Sequence, residues 1–277
     1  MKKFLTVMIA MAMTLSLTGC NSQPETVAPM DSSLESASGK MEEIQTVAFD
    51  ACLALTVQAG DLQLPLSITM VGQSSEDPRV IHADMTAGIK RAKVNMELYA
   101  AEAGDQMITY TGMELLGQPS WVRHREDKPE LTPLNGAKLI GLLADMEPSG
   151  TGTTIDGVVG DAYEGAITVQ NVRKLLKALT MIDSMGKTAE AAEEMTRILN
   201  QLDPDARIPV VSILDKEDLW LLELRVDMTE VCNNIARQEG NSDVFTIADF
   251  SFRLTLRDHN AIGPVEIPQE VLNAPEQ

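Results

Sequence analysis

The chain has 277 residues, a formal net charge of −19 and 44 % hydrophobic residues, of which few are aromatic. So acidic a body is excluded from holding nucleic acid or anionic headgroups by charge, because like charges repel at close range. The length fits short leading segments followed by a single folded domain.

The first residues read as an export signal. Lys2 and Lys3 give a positive start, Phe4 through Leu17 run without a charge, and Leu17-Thr18-Gly19-Cys20 closes the run with small residues before a cysteine. A basic start, a short apolar core and small residues at the cut define a secretory signal. The apolar run is shorter than the about 20 residues that span a bilayer. Leu-Thr-Gly-Cys resembles the lipobox of bacterial lipoproteins. That resemblance implies that residues 1–19 are removed and that Cys20 becomes a diacylglyceryl-bearing N-terminus. Two acyl chains suffice for stable anchoring where one is marginal. The expected location is the extracytoplasmic face of the cell membrane, with Cys20 as the lipid anchor. Removing the signal takes away two lysines and no acid, so the mature body is more acidic still. Residues 20–40, rich in Ser, Pro and acids, are expected to be a lipidated cysteine and a disordered tether spanning about 25 Å.

Residues 41–277 read as one α+β domain. Val47, Phe49, Ala51, Leu53, Leu55 and Val57 alternate with more polar residues, Gly60-Asp61 turns the chain, and Leu62, Leu64, Leu66, Ile68 and Met70 continue at period two. Period two with a turn predicts a hairpin. Val94, Met96, Leu98 and Ala100 make a further strand, followed by Met107–Gly112 and Trp121–Arg125. This is an antiparallel meander with one wet and one dry face. Leu134 through Met146 then fit a helix face, Thr153–Val169 a short hairpin, and Val172 through Ile182 a second helix. Thr188–Leu202 predicts a third helix, stopped by Asp203-Pro204-Asp205. Strands return at Ile208–Leu214 and Leu219–Met228, where Trp220, Leu222, Leu224, Val226 and Met228 are expected to share a face. A brief helix over Thr229–Arg237, a strand through Phe250, Phe252, Leu254 and Leu256, and a last strand through Val265–Val271 complete the chain. Strands, then helices, then strands predict helices packed on one face of a large antiparallel sheet.

A lipobox, a polar tether, a long meander, a central helical insert and a final Ile267-Pro268-Gln269-Glu270-Val271 resemble the LolA/LppX-like superfamily of bacterial lipoproteins. The resemblance covers about residues 41–275 and is architectural. It implies a curved half-barrel with helices on its concave face and an apolar cavity between them, and a role in binding lipids. The residues themselves allow such a cavity, since flexible thioether and aliphatic walls adapt to an acyl chain. The expected lining is Met70, Met96, Leu98, Met107, Leu222, Leu224, Phe252 and Leu254. The same residues would also fill an ordinary core, since Met often simply fills gaps. The body is expected to be a monomer. A second reading is a surface module that binds a protein partner without a ligand cavity, with Trp121 and the polar loops around Arg123–Glu130 as its anchor, because aromatic and Arg residues dominate hot spots.

No catalytic signature stands out, so no enzyme activity and no cofactor are expected. Gly186-Lys187-Thr188 lacks the earlier glycine of a phosphate loop. His82, His124 and His259 lack metal-ligand spacing and read as surface or locally paired residues. Export permits a disulfide between Cys52 and Cys232, and buried free thiols fit equally well.

Overall fold

The computed structural model describes residues 32–89, 92–115, 118–127, 136–143, 146–180, 203–238 and 244–276. Cys20, the signal and the helix expected over Thr188–Leu202 lie outside the described residues. The strands are β1 (Thr46–Ala59), β2 (Leu62–Glu76), β3 (Arg79–Ile89), β4 (Ala92–Ala103), β5 (Gln106–Leu115), β6 (Gln118–Asp127), β7 (Glu147–Ile155), β8 (Val158–Thr168), β9 (Arg207–Asp215), β10 (Leu221–Asp227) and β11 (Thr246–Arg257). They form one antiparallel sheet in the order β6-β5-β4-β3-β2-β1-β11-β10-β9-β8-β7. The order is sequential except at its centre, where β1 pairs with β11. The sheet is an open, curved half-barrel. The helices are α1 (Ser32–Glu42), α2 (Gly136–Gly141), α3 (Val169–Thr180), α4 (Thr229–Gln238) and the single turn α5 (Gln269–Leu272). Apolar residues of α1 to α4 join the core on the concave face.

Register explains the core. Directly paired residues put their side chains on the same face. Leu224 faces Leu254, then Ala51, Met70, Met85, Met96 and Met113 follow pair by pair across seven strands. A second row runs Val226, Phe252, Leu53, Ile68, Ala87 and Val94. A third runs Leu256, Phe49, Gly72, Ala83 and Leu98. These rows are the dry face that the meander predicts, and each fully buried aliphatic or aromatic side chain adds about 1.5–3 kcal/mol.

Three expectations need correction. The tether does not reach residue 40: Ser32–Glu42 is a helix whose Leu34, Ala37 and Met41 are buried in the core. The helix is held by a close approach to α2. A Cβ on Gly136 would lie 2.1 Å from the Met41 methyl, so only glycine admits this contact. The stretch through Val265–Val271 is not a strand. It runs without ladder bonds to Pro268, which precedes α5, and lies against the convex face. Leu222 does not share the inward face with Leu224, because a bulge between Leu221 and Glu223 shifts the register there. Leu221 faces Leu214 in its place, and its N–H donates to Met41 Sδ at 3.2 Å. In addition, β3 has no counterpart among the sequence expectations.

The segment after β11 is stitched back to the start of the sheet. Asn260 Oδ1 accepts the Gln45 N–H at 2.6 Å, and Thr46 Oγ1 donates to the Ile262 carbonyl at 3.0 Å. Between them His259 is buried, its ring stacked on Trp220 with centroids 4.9 Å apart, and its Nε2–H donates to the Leu221 carbonyl at 3.2 Å. Burial disfavours the imidazolium and lowers the His259 pKa from its ordinary value, the Leu221 bond opposing this in part.

At Gly72 a Cβ would meet the His82 carbonyl at 2.2 Å and the Phe49 ring at 2.7 Å. Gly72→Ala should therefore cost on the order of 3 kcal/mol in denaturant unfolding, whereas at Gly39, which has open space around it, the same change should stabilise by about 0.5–1 kcal/mol. His259 is lowered on folding, so its neutral form is the native one. Its contribution is complete above the unfolded value of about 6.5 and is lost as pH falls through and below it. Unfolding free energy measured from pH 8 to pH 5 should drop in the acid range, and His259→Gln should flatten that drop.

Candidate functional site

The concave face is not covered evenly. Near the middle of β1, β2, β10 and β11 its side chains are closed off: Met70, Leu224, Phe252 and Leu254 are all buried. Burial then fades toward the β1–β2 turn. Leu55, Leu66, Val57 and Leu64 are half-buried, and Leu62 at the tip is 46 % exposed. The same gradient runs along the second row, from buried Ile68 through half-buried Ala87 to Val94, which is 53 % exposed. Leu55, Leu66, Ala87 and Met96 pack directly against the core cluster, so the partly open rim is continuous with the dry interior. Among the described residues, those of the rim named above are aliphatic or thioether, a surface that suits a greasy chain.

Of the eight residues expected to line a cavity, six sit deeper than that rim, Met96 belongs to it, and Leu222 lies off the inward face. Met70, Met96, Leu98, Met107, Leu224, Phe252 and Leu254 all face inward. All but Met96 of these are buried, as is Leu222 at its bulge. The rim residues carry the same period-two signal as the buried ones, so alternation alone does not separate rim from core.

The two cysteines lie on opposite faces. Cys52 pairs with Thr69 and Arg253 on the convex side, while Cys232 of α4 belongs to the concave core, and both are free thiols. The disulfide that the sequence left open is absent because the sheet itself stands between them. Burial pushes the Cys232 thiol up to about 12.

The convex face carries a different chemistry. Tyr99 and Tyr110 are directly paired and pack with Val271, Ala274, Ile267 and Trp121. Trp121 lies over Gly112, where a Cβ would come within 2.8 Å of the indole. Arg123 gives its backbone N–H to the Pro275 carbonyl and its guanidinium to Glu276 at 3.2 Å. The expected protein-binding anchor, Trp121 with Arg123, is thus engaged by the chain's own C-terminal segment; positions 128–130 lie outside the described residues. Beside this cluster His82 stacks on Tyr99 at 4.4 Å, and Glu97 Oε1 meets both His82 Nε2 and the Tyr99 hydroxyl at 3.1 Å. Burial, reinforced by Glu97, raises the Tyr99 pKa to about 12. With Asp84, His82 and Glu97 bring three ligand atoms within 4.8 Å of one another. His124 faces the other side of the sheet, so the three histidines do not meet.

The fold and these faces define a class: an open antiparallel half-barrel with helices over an apolar concave side, the architecture implied by the resemblance to LolA/LppX-like lipoproteins. Among solved structures the chain is similar to LprF from Mycobacterium bovis, at 12% identity over 88% of this chain and 100% of that one, with a TM-score of 0.48. It is also similar to a DUF1329 family protein from Desulfovibrio piger, at 10% identity over 83% of this chain and 92% of that one, TM-score 0.23. A DUF1849 beta-barrel-like protein from Brucella abortus matches at 11% identity over 77% of this chain and 97% of that one, TM-score 0.26. No family model matches the chain, and no curated protein matches it.

The placement of the thiols is open to direct measurement. A neutral alkylating reagent should modify half-buried Cys52 in the native protein and leave Cys232 untouched until denaturant is added, because the thiolate is the nucleophile. Peptide mass mapping reads both sites, and a Cys52–Cys232 crosslink would contradict the fold.

Proposed function

We propose that this chain is a membrane-anchored, extracytoplasmic lipoprotein that binds an acyl chain or a similar hydrophobic ligand on its concave face, without catalysing a reaction. The observation that supports this most is the burial gradient. A continuous apolar surface runs from a closed core to a rim where Leu62 and Val94 remain about half exposed. Leaving such a rim in water forgoes about 25 cal/mol for each Å² of apolar surface, and a ligand that covers it recovers this. The wall chemistry suits a flexible aliphatic ligand, since the half-open residues Leu55, Leu66, Ala87 and Met96 are aliphatic or thioether and can adapt to its shape. The acidity of the chain disfavours nucleic acid as a partner. Among the described residues no helix is long and apolar enough to cross a membrane, and a lipid on Cys20 supplies the attachment. The body works as a monomer in this reading.

The test has two arms. Native mass spectrometry of protein purified without detergent should show a bound lipid-sized mass. A double substitution at the rim, Leu66→Glu with Val94→Glu, should abolish it and weaken binding of a fluorescent fatty acid by at least tenfold, with circular dichroism unchanged. In cells, Cys20→Ala should shift the protein from the membrane fraction to the soluble exported fraction. Absence of bound lipid together with equal probe affinity in wild type and rim variant would refute the ligand reading, and membrane retention of Cys20→Ala would refute the anchor.

A further inference from the structure

We propose that His82, Asp84 and Glu97 form a binding site for a divalent transition-metal cation of the zinc type on the convex face of the sheet. Asp84 of β3 and Glu97 of β4 are directly opposite, and His82 lies two residues along on the same face. One ligand atom from each lies within 4.8 Å of the others. A tetrahedral zinc site needs about 3.4 Å between ligand atoms, given bonds near 2.1 Å, so modest side-chain rotation closes the set.

Electrostatics makes the arrangement costly without a cation. Like charges directly opposite on neighbouring strands destabilise a sheet. The next residue beyond Asp84 on this face is Val71 and the next beyond Glu97 is Gly112, so neither neighbour supplies a positive charge. Among the described residues the ion partner of Glu97 is His82, and neither Asp84 nor Glu97 has a lysine or arginine in salt-bridge contact. A divalent cation bound to two carboxylates and a neutral imidazole turns this repulsion into attraction and leaves the site without net charge. The ligands are also held in place. Stacking on Tyr99 at 4.4 Å and 24° fixes the His82 ring plane, and the Tyr99 hydroxyl donates to Glu97 Oε1 at 3.1 Å. Such outer hydrogen bonds orient metal ligands and tune affinity. One nitrogen and two oxygens suit zinc and its neighbours, whereas calcium and magnesium prefer all-oxygen shells. Three protein ligands leave a position open to water or to an anionic group.

Calorimetry with zinc on the purified full chain, after treatment with a chelator, tests this. One equivalent should bind, with an accompanying rise in melting temperature, and an equal concentration of calcium should not displace it. Asp84→Asn and His82→Gln should each weaken binding by at least tenfold. Both side chains are partly or fully exposed, so the variants should fold, as circular dichroism would check. Tyr99→Phe should weaken binding less while leaving the stoichiometry at one. Failure of the folded wild-type chain to take up zinc, or equal uptake by wild type and both ligand variants, overturns the proposal.

Discussion

Strand register is the constraint on which the rest of the molecule depends. The pairing of β1 with β11 joins the first strand of the chain to the last, across some two hundred residues. It sets Ala51 against Leu254 and Leu53 against Phe252, and from there each further pair inherits its face. A slip of one residue anywhere would turn a whole strand inside out, putting Met70 and Leu224 in water and Asp50 in the core. The molecule places its irregularities where they do least harm. One shift falls between Thr56 and Val57, near the end of β1, and one between Leu221 and Glu223, at the start of β10. At the second, the Leu221 N–H finds the Met41 sulfur, which ties α1 to the sheet at the same point.

Much of this was legible from local pattern. Period two in β1, β2, β4 and β11 is plain because each strand has a dry face of large apolar residues. Strand β3 lacks that contrast: its inward positions include Ala83 and Ala87, so its alternation is weak in size although correct in parity. Helix α1 was hidden by a Ser- and Glu-rich composition over only three buried side chains, and its packing depends on the absent side chain of Gly136, a hundred residues away. The tail Val265–Val271 shows the opposite failure. Its alternation is strand-like, but both edges of the sheet's centre are already paired, so the segment crosses the convex face instead. The face of Leu222 and the separation of Cys52 from Cys232 are likewise three-dimensional facts. The bulge and the intervening sheet leave no local trace.

The candidate sites follow the same division. Inward alternation identified the apolar residues of the concave face, while the difference in exposure between buried Ile68 and half-exposed Leu62 and Val94 has no counterpart in that alternation. On the convex face, the side chains of His82, Asp84, Glu97 and Tyr99 are drawn from two strands, and only the β3–β4 register sets them together. With β3 unseen, no spacing rule applied to the sequence could assemble them.

The two faces have opposite relations to water, and the C-terminal segment shows how the molecule manages the boundary. An open sheet leaves edge strands with unpaired backbone groups, which invite pairing with other chains. At one edge, β6 donates the Arg123 N–H to Pro275, and Glu276 takes Arg123 and Arg125 as ion partners at 3.2 Å. At the other, β7 pairs through two register shifts around Gly150, which breaks its regularity as a template. Val271 and Ala274, on the way to the first edge, cover Tyr99 and Tyr110. One short segment thus shields the convex aromatic residues and blunts an edge strand. The partly open apolar surface is left to the concave rim, away from both edge strands.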